Sequence, residues 1–240
     1  MSLRDGGALT GFRGMCRRRR YTRGVPPSGF RWSIRVRTLA GIALIAVLVP
    51  RCGSSPTQPT DTEVCGSYLD WRTSPYVLPY AIGLAFTVIQ GNCSAPGNGH
   101  RGSERYGYDF DMPIGTEFIA IRAGVVVHVE ESHSDGQIAP TGLDNYIVIR
   151  HDDGSHALYG HLTRSGALVT QGDLVSQTQT IGRSGNTGNT NNIPHLHVSV
   201  HACDPVTTGS TACPSQPITF RNTTANPNGL QQGQRYTALP

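Results

Sequence analysis

The sequence predicts an all-β layout of short antiparallel strands, and three observations carry that expectation. Apolar runs that alternate with polar residues, or stay apolar for only a few positions, recur between residues 76 and 201. Gly, Pro, Asn or Asp separates one run from the next. No long 3.6-residue periodicity competes with them. From Cys65 onward there are 176 residues, enough for one domain with a real core, and no internal repeat is visible.

Taken in order, the first run is YVLPYAIGLAFTVI (residues 76–89), followed by TEFIAIRAGVVVHVE (116–130), rich in β-branched residues. NYIVIRH (145–151) and HALYGHL (156–162) follow; period two in an unbroken strand sets His161 on the face of Tyr159. QTIGRSG (179–185) leads into a glycine-rich turn. IGRSGNTG has no following Lys and opens no helix, so it reads as a strand turn and not as a phosphate cradle. HLHVSVH (195–201) is the last strong run. The closing PITFRNTTANPNGLQQGQRYTALP offers one more strand and then a polar tail, with Asn222-Thr223-Thr224 read as loop.

The N-terminal segment needs a separate reading. All basic residues are Arg, and 11 of the 20 lie at or before Arg51 with a single acid, Asp5. The net +4 therefore divides into +10 for residues 1–51 and −6 for the rest. With 15% charged residues, a nucleic-acid-binding domain is not indicated. The arginine-rich stretch precedes LAGIALIAVLV (39–49), whose 11 apolar residues fall short of the roughly 20 that span a bilayer. That pattern reads as an export signal or anchor over 1–51 with a disordered leader. Residues 52–64 read as a flexible polar linker, and 65–240 as the folded domain. Cys52, directly before that linker, is a candidate lipid attachment point, although Val49-Pro50-Arg51 lacks the small residues of a lipobox. Ordinary cleavage nearby and an uncleaved anchor remain alternatives. The expected location is the periplasm or cell envelope, or the outside of the cell. Cys65, Cys93, Cys203 and Cys213 read as two disulfides, with local pairing, 65–93 and 203–213, preferred; none sits in a CxxC spacing that would suggest a thiolate zinc site.

Nine histidines remain to be sorted. His195 and His197 stand at i and i+2 in PHLHV, on one face of a strand about 6.6 Å apart. His161 ends ALYGH, and His100 lies in a Gly-rich loop before Asp109 and Asp111. A catalytic zinc takes three N or O ligands and leaves a fourth position for water. It lowers the pKa of that water to about 7, and further imidazoles then move protons or stabilise an oxyanion.

GNGH, YGYDFDMPIGTEFIAIRAGVV, ALYGHL and IGRSGNTGNTNNIPHLHV, in that order, resemble the lysostaphin/LytM-type (β-lytic) zinc metallopeptidases over about residues 74–200. The resemblance implies the fold called duplicated hybrid motif, a two-layer antiparallel β-sheet core around a narrow groove. It implies one zinc per chain, held by His100, Asp109 and His197, with His161 and His195 as the catalytic pair. It also implies an endopeptidase acting on peptidoglycan peptides; the chain is expected to be a monomer, and any membrane tether is expected through Cys52 or residues 39–49. Family members commonly space their first two ligands as His-x3-Asp. Here Glu104 stands at that shorter spacing and is a rival ligand, while the offset to Pro113 favours Asp109. Asp111 replaces the small residue usual after Asp-Phe and reads as a solvated or neighbouring carboxylate. His128, His133, His151, His156 and His201 read as structural or surface residues; His201 lies about 13 Å along the strand from His197, too far for a shared zinc. Alternative readings are an envelope regulator that activates other wall hydrolases, a secreted protease on Gly-rich proteins and a phosphotransfer module, the last excluded by an exported setting.

Overall fold

The computed structural model describes residues 65–93, 99–136, 143–209 and 211–240. The apolar run 39–49, Cys52 and the 52–64 linker lie outside them, and so do the export and anchor expectations. Among the described residues no helix is long and apolar enough to cross a membrane.

The strands are β1 (Ala85–Gln90), β2 (Tyr108–Phe110), β3 (Glu117–Ile119), β4 (Gly124–Glu130), β5 (Tyr146–Arg150) and β6 (His156–Gly160). They continue with β7 (Leu162–Ala167), β8 (Leu174–Val175), β9 (Thr180–Ser184), β10 (Leu196–His201) and β11 (Arg235–Thr237). One sheet has the order β11-β1-β2-β10-β6-β5-β4-β8 and the other β3-β9-β7. All pairings between these strands are antiparallel. The α-helical content among the described residues is one short turn, α1 (Pro205–Thr208).

Period-two alternation decides what each strand gives to the core. Leu196, Val198 and Val200 of β10, Tyr159 of β6, and Tyr108 and Phe110 of β2 are buried in the hydrophobic cluster. The intervening residues turn to the other face. Asp109 pairs with His197, and His197 with Gly160, so three neighbouring strands carry one row across that face. The two sheets meet through aromatic packing: Phe118 of β3 stacks on Tyr159, ring centroids 5.5 Å apart. The Tyr159 hydroxyl accepts the Ile121 N–H at 2.9 Å. Gly182 of β9 lies so close to this stack that a Cβ would stand 2.6 Å from the Phe118 ring. Disulfides Cys65–Cys93 and Cys203–Cys213 form the expected local pairs.

The structure departs from the sequence reading in four places. Residues 76–84 are not strand: Pro79 lacks an N–H, and single bonds hold the segment, such as Val77 N–H to the Ile121 carbonyl and Leu78 N–H to Asn222 Oδ1. The 116–130 run splits between sheets into β3 and β4, with residues 120–123 crossing over. His161 interrupts 156–162 with a φ of 64°, dividing β6 from β7. The one strand of the closing segment comes near its end, at β11, and not ahead of a polar tail; it pairs with β1.

Candidate metal centre

The row across β2 and β10 brings Asp109 and His197 together. Both side chains are buried, and Asp109 Oδ1 lies 2.8 Å from His197 Nδ1. His100 enters from the preceding loop, held by its own backbone N–H to the Gly91 carbonyl at 2.8 Å. Its Nδ1 donates to that same carbonyl at 3.0 Å, so Nε2 keeps its lone pair and stands 3.4 Å from Asp109 Oδ1. One ligand atom from each of His100, Asp109 and His197 thus falls within 4.8 Å of the others. Two imidazole nitrogens and one carboxylate oxygen make the donor set that zinc takes when a fourth position is left open.

His195 and His161 stand beside this triad in a cleft of about 630 Å³. Their rings meet edge to face with centroids 4.7 Å apart. His195 Nδ1 donates to the Ile193 carbonyl and His161 Nδ1 to the Thr187 carbonyl, each at 2.8 Å. Both rings therefore keep a lone pair on Nε2, and His195 Nε2 lies 3.6 Å from Asp109 Oδ2. The expectation that His161 shares a face with Tyr159 fails here. The left-handed backbone at His161 turns its ring into the cleft while Tyr159 stays in the core.

Residues 103–209 match the model of Peptidase family M23. Over that span the chain is similar to an M23 domain. His100 stands just ahead of the matched span. An uncharacterized metalloprotease of Buchnera aphidicola is 36% identical over 126 residues, covering 52% of this chain and 30% of its own length. The peptidoglycan DD-endopeptidase ShyA of Vibrio cholerae is 42% identical over 91 residues, covering 38% of this chain and 19% of its own. The chain thus spans less than a third of these curated relatives. Among solved structures, the catalytic domain of lysostaphin from Staphylococcus simulans is similar at 29% identity with a TM-score of 0.38, covering 57% of this chain and 88% of that one.

The electrostatics of the site centre on the triad. Burial would raise the Asp109 carboxyl, but His100 and His197 outweigh it and hold it well below the usual carboxylate range. Burial likewise opposes charge on His197, yet Asp109 and Glu104 pull its pKa up to about 10. His161 goes the other way: burial, with the His195 and His197 rings adding to it, pushes it down to about 3, so it is neutral near pH 7.

The rival ligand Glu104 does not join the triad. It ends a 3₁₀ turn (Gly102–Glu104) and faces the opposite edge of His197, Oε2 to Nε2 at 3.6 Å. Burial would raise its carboxyl; His197 and His201 reverse that and hold it far below the ordinary range. Asp111 is exposed at the end of β2. The other histidines lie off the cleft lining: His128 bonds Asp204 at 2.7 Å, His151 donates to the Ala123 carbonyl, His133 N–H bonds Asn145 Oδ1, and His156 is buried in β6. The sequence reading did not anticipate the Thr187, Ile193 and Gly91 carbonyls that fix three of the imidazoles. Backbone acceptors leave no residue-type signal. Gly107 was also missed: a Cβ there would stand 2.7 Å from the His197 ring.

Proposed function

We propose that the chain is a zinc metalloendopeptidase that hydrolyses peptide bonds of bacterial peptidoglycan, in cross-links or stem peptides. The observation that carries this reading is the pairing of a His100–Asp109–His197 ligand set with two imidazoles whose bare Nε2 atoms share the same cleft. The M23 match and the peptidoglycan endopeptidase among its relatives support the substrate class. The folded unit is residues 65–240, and its two disulfides support an exported, envelope-facing location.

His100 Nε2, Asp109 and His197 Nδ1 hold the ion, one per chain. Zinc bound there supplies Lewis acidity toward a peptide carbonyl and a water acidified to a pKa of about 7. His161 and His195, each with Nδ1 committed to a backbone carbonyl, accept hydrogen bonds from the attacking water at Nε2. A ring that takes the water's proton becomes a donor at Nε2. It then stabilises the oxyanion of the tetrahedral intermediate and passes the proton to the leaving amine.

The test separates ligand from proton carrier. His197→Ala removes both zinc and cleavage of purified peptidoglycan. His161→Asn keeps one zinc per chain and loses turnover by about 10²-fold or more. Retained zinc with retained activity in His197→Ala would sink the ligand assignment, and loss of zinc in His161→Asn would contradict the separate role of that ring.

A further inference from the structure

Two buried polar atoms beside the triad lack a hydrogen-bond partner and face each other: His197 Nε2 and Glu104 Oε2, 3.6 Å apart. Burying unpaired polar atoms is unfavourable unless something brings them into use. When Nδ1 of a neutral imidazole serves as a metal ligand, its proton resides on Nε2 and needs an acceptor. Glu104 Oε2 is a few tenths of an ångström from hydrogen-bond distance to that nitrogen.

The carboxylate is fixed there by the rest of the fold. The Gly107 N–H bonds the Glu104 carbonyl at 2.8 Å, closing the turn beneath His197. Ser215 stitches that turn to the far strand: its N–H donates to the Ser103 carbonyl at 2.7 Å and its Oγ accepts the Tyr106 N–H at 3.0 Å. Ser215 also bridges to His201 at the end of β10. His201 Nδ1 donates to the Cys213 carbonyl at 2.8 Å, and its Nε2 stands 3.5 Å from Glu104 Oε2. Strand, disulfide loop and 3₁₀ turn thus form a closed ring around one carboxylate.

We propose that Glu104 is a positioning residue for the metal centre: it accepts the Nε2–H of His197 and holds Nδ1 toward the ion. This rests on the reading that His100, Asp109 and His197 hold zinc. An anionic acceptor fixes the ring's orientation and raises the basicity of the ligating nitrogen. Removing such a partner typically weakens metal affinity 10–100-fold.

The experiment measures zinc affinity of the full chain, metal-stripped and titrated against a chromophoric chelator, for wild type, Glu104→Gln and Glu104→Met. The expected order is wild type tightest, Glu104→Gln intermediate because its amide oxygen still accepts, and Glu104→Met weaker by about 10–100-fold. Stoichiometry stays at one, and the visible absorption of the Co²⁺-substituted chain is unchanged by Glu104→Gln. Wild-type affinity in both variants overturns the inference, with Glu104→Gln deciding alone should Glu104→Met fail to fold. A changed Co²⁺ spectrum makes Glu104 a direct ligand and overturns it too. A wild-type chain that binds no zinc overturns both this inference and the reading beneath it.

Discussion

At the scale of single residues, backbone conformation does as much as side-chain chemistry. His161 occupies the left-handed region at φ 64°, which costs about 1–3 kcal/mol for a residue other than glycine. Asn tolerates that region better than most residues, so His161→Asn removes the imidazole without straining the turn. It also isolates a pH effect. The His161 pKa falls from the ordinary 6.5 to about 3 on folding, chiefly through burial. The unfolded chain then binds its proton first on acidification. Stability contributed by the neutral ring is complete above about pH 6.5 and is lost as the pH falls toward 3. Urea unfolding of the metal-free chain between about pH 7 and about pH 5 should show wild type losing stability relative to His161→Asn. Parallel pH profiles would contradict the buried, neutral assignment. Gly107→Ala makes a second prediction at this scale. Its methyl would meet the His197 ring at 2.7 Å, so zinc affinity should fall while Co²⁺ and zinc still bind one per chain. An unchanged dissociation constant would mean that the ring has room to move.

Among elements, the contact between the two sheets is the point most sensitive to volume. Gly182 of β9 leaves the Phe118 ring no more than backbone clearance, and Phe118 in turn stacks on Tyr159. Gly182→Ala should therefore destabilise the domain by about 1–3 kcal/mol through overpacking, read as a lower urea midpoint with an unchanged slope. An unaltered midpoint would place the strain elsewhere. Strands that coincide with short apolar runs bounded by turn residues were legible in the sequence: β10, β6 and β5 fall where those runs predicted them. Asp109 and His197 were expected on a common site through the family resemblance, and the pairing of β2 with β10 is what brings them together. Strand breaks were less legible. The turn at His161 puts a residue other than glycine at positive φ while the adjacent Gly160 stays inside β6, and β11 depends on pairing with β1 from the far end of the domain. The position of Glu104 escaped because it is set by Ser215 and the Cys203–Cys213 loop, far along the chain.

For the whole molecule, the two-sheet architecture explains why the chemistry sits on one face. Core residues claim alternate positions of β2, β10 and β6, and the freed positions line up as Asp109, His197 and the small Gly160. Loops then deliver His100 from one side and His161 and His195 from the other into a single cleft. The fold thus supplies rigid strands for Asp109 and His197 and hydrogen-bonded loops for the remaining groups, the division of labour expected when a site must hold its geometry to within about half an ångström. The measurement that tests the central claim most directly is mass analysis of fragments released from purified peptidoglycan by the zinc-loaded chain. The account predicts muropeptides split at a peptide bond, each cut leaving a new amine and a new carboxylate. Intact peptides, or fragments cut only between sugars, from a chain carrying one zinc would contradict it.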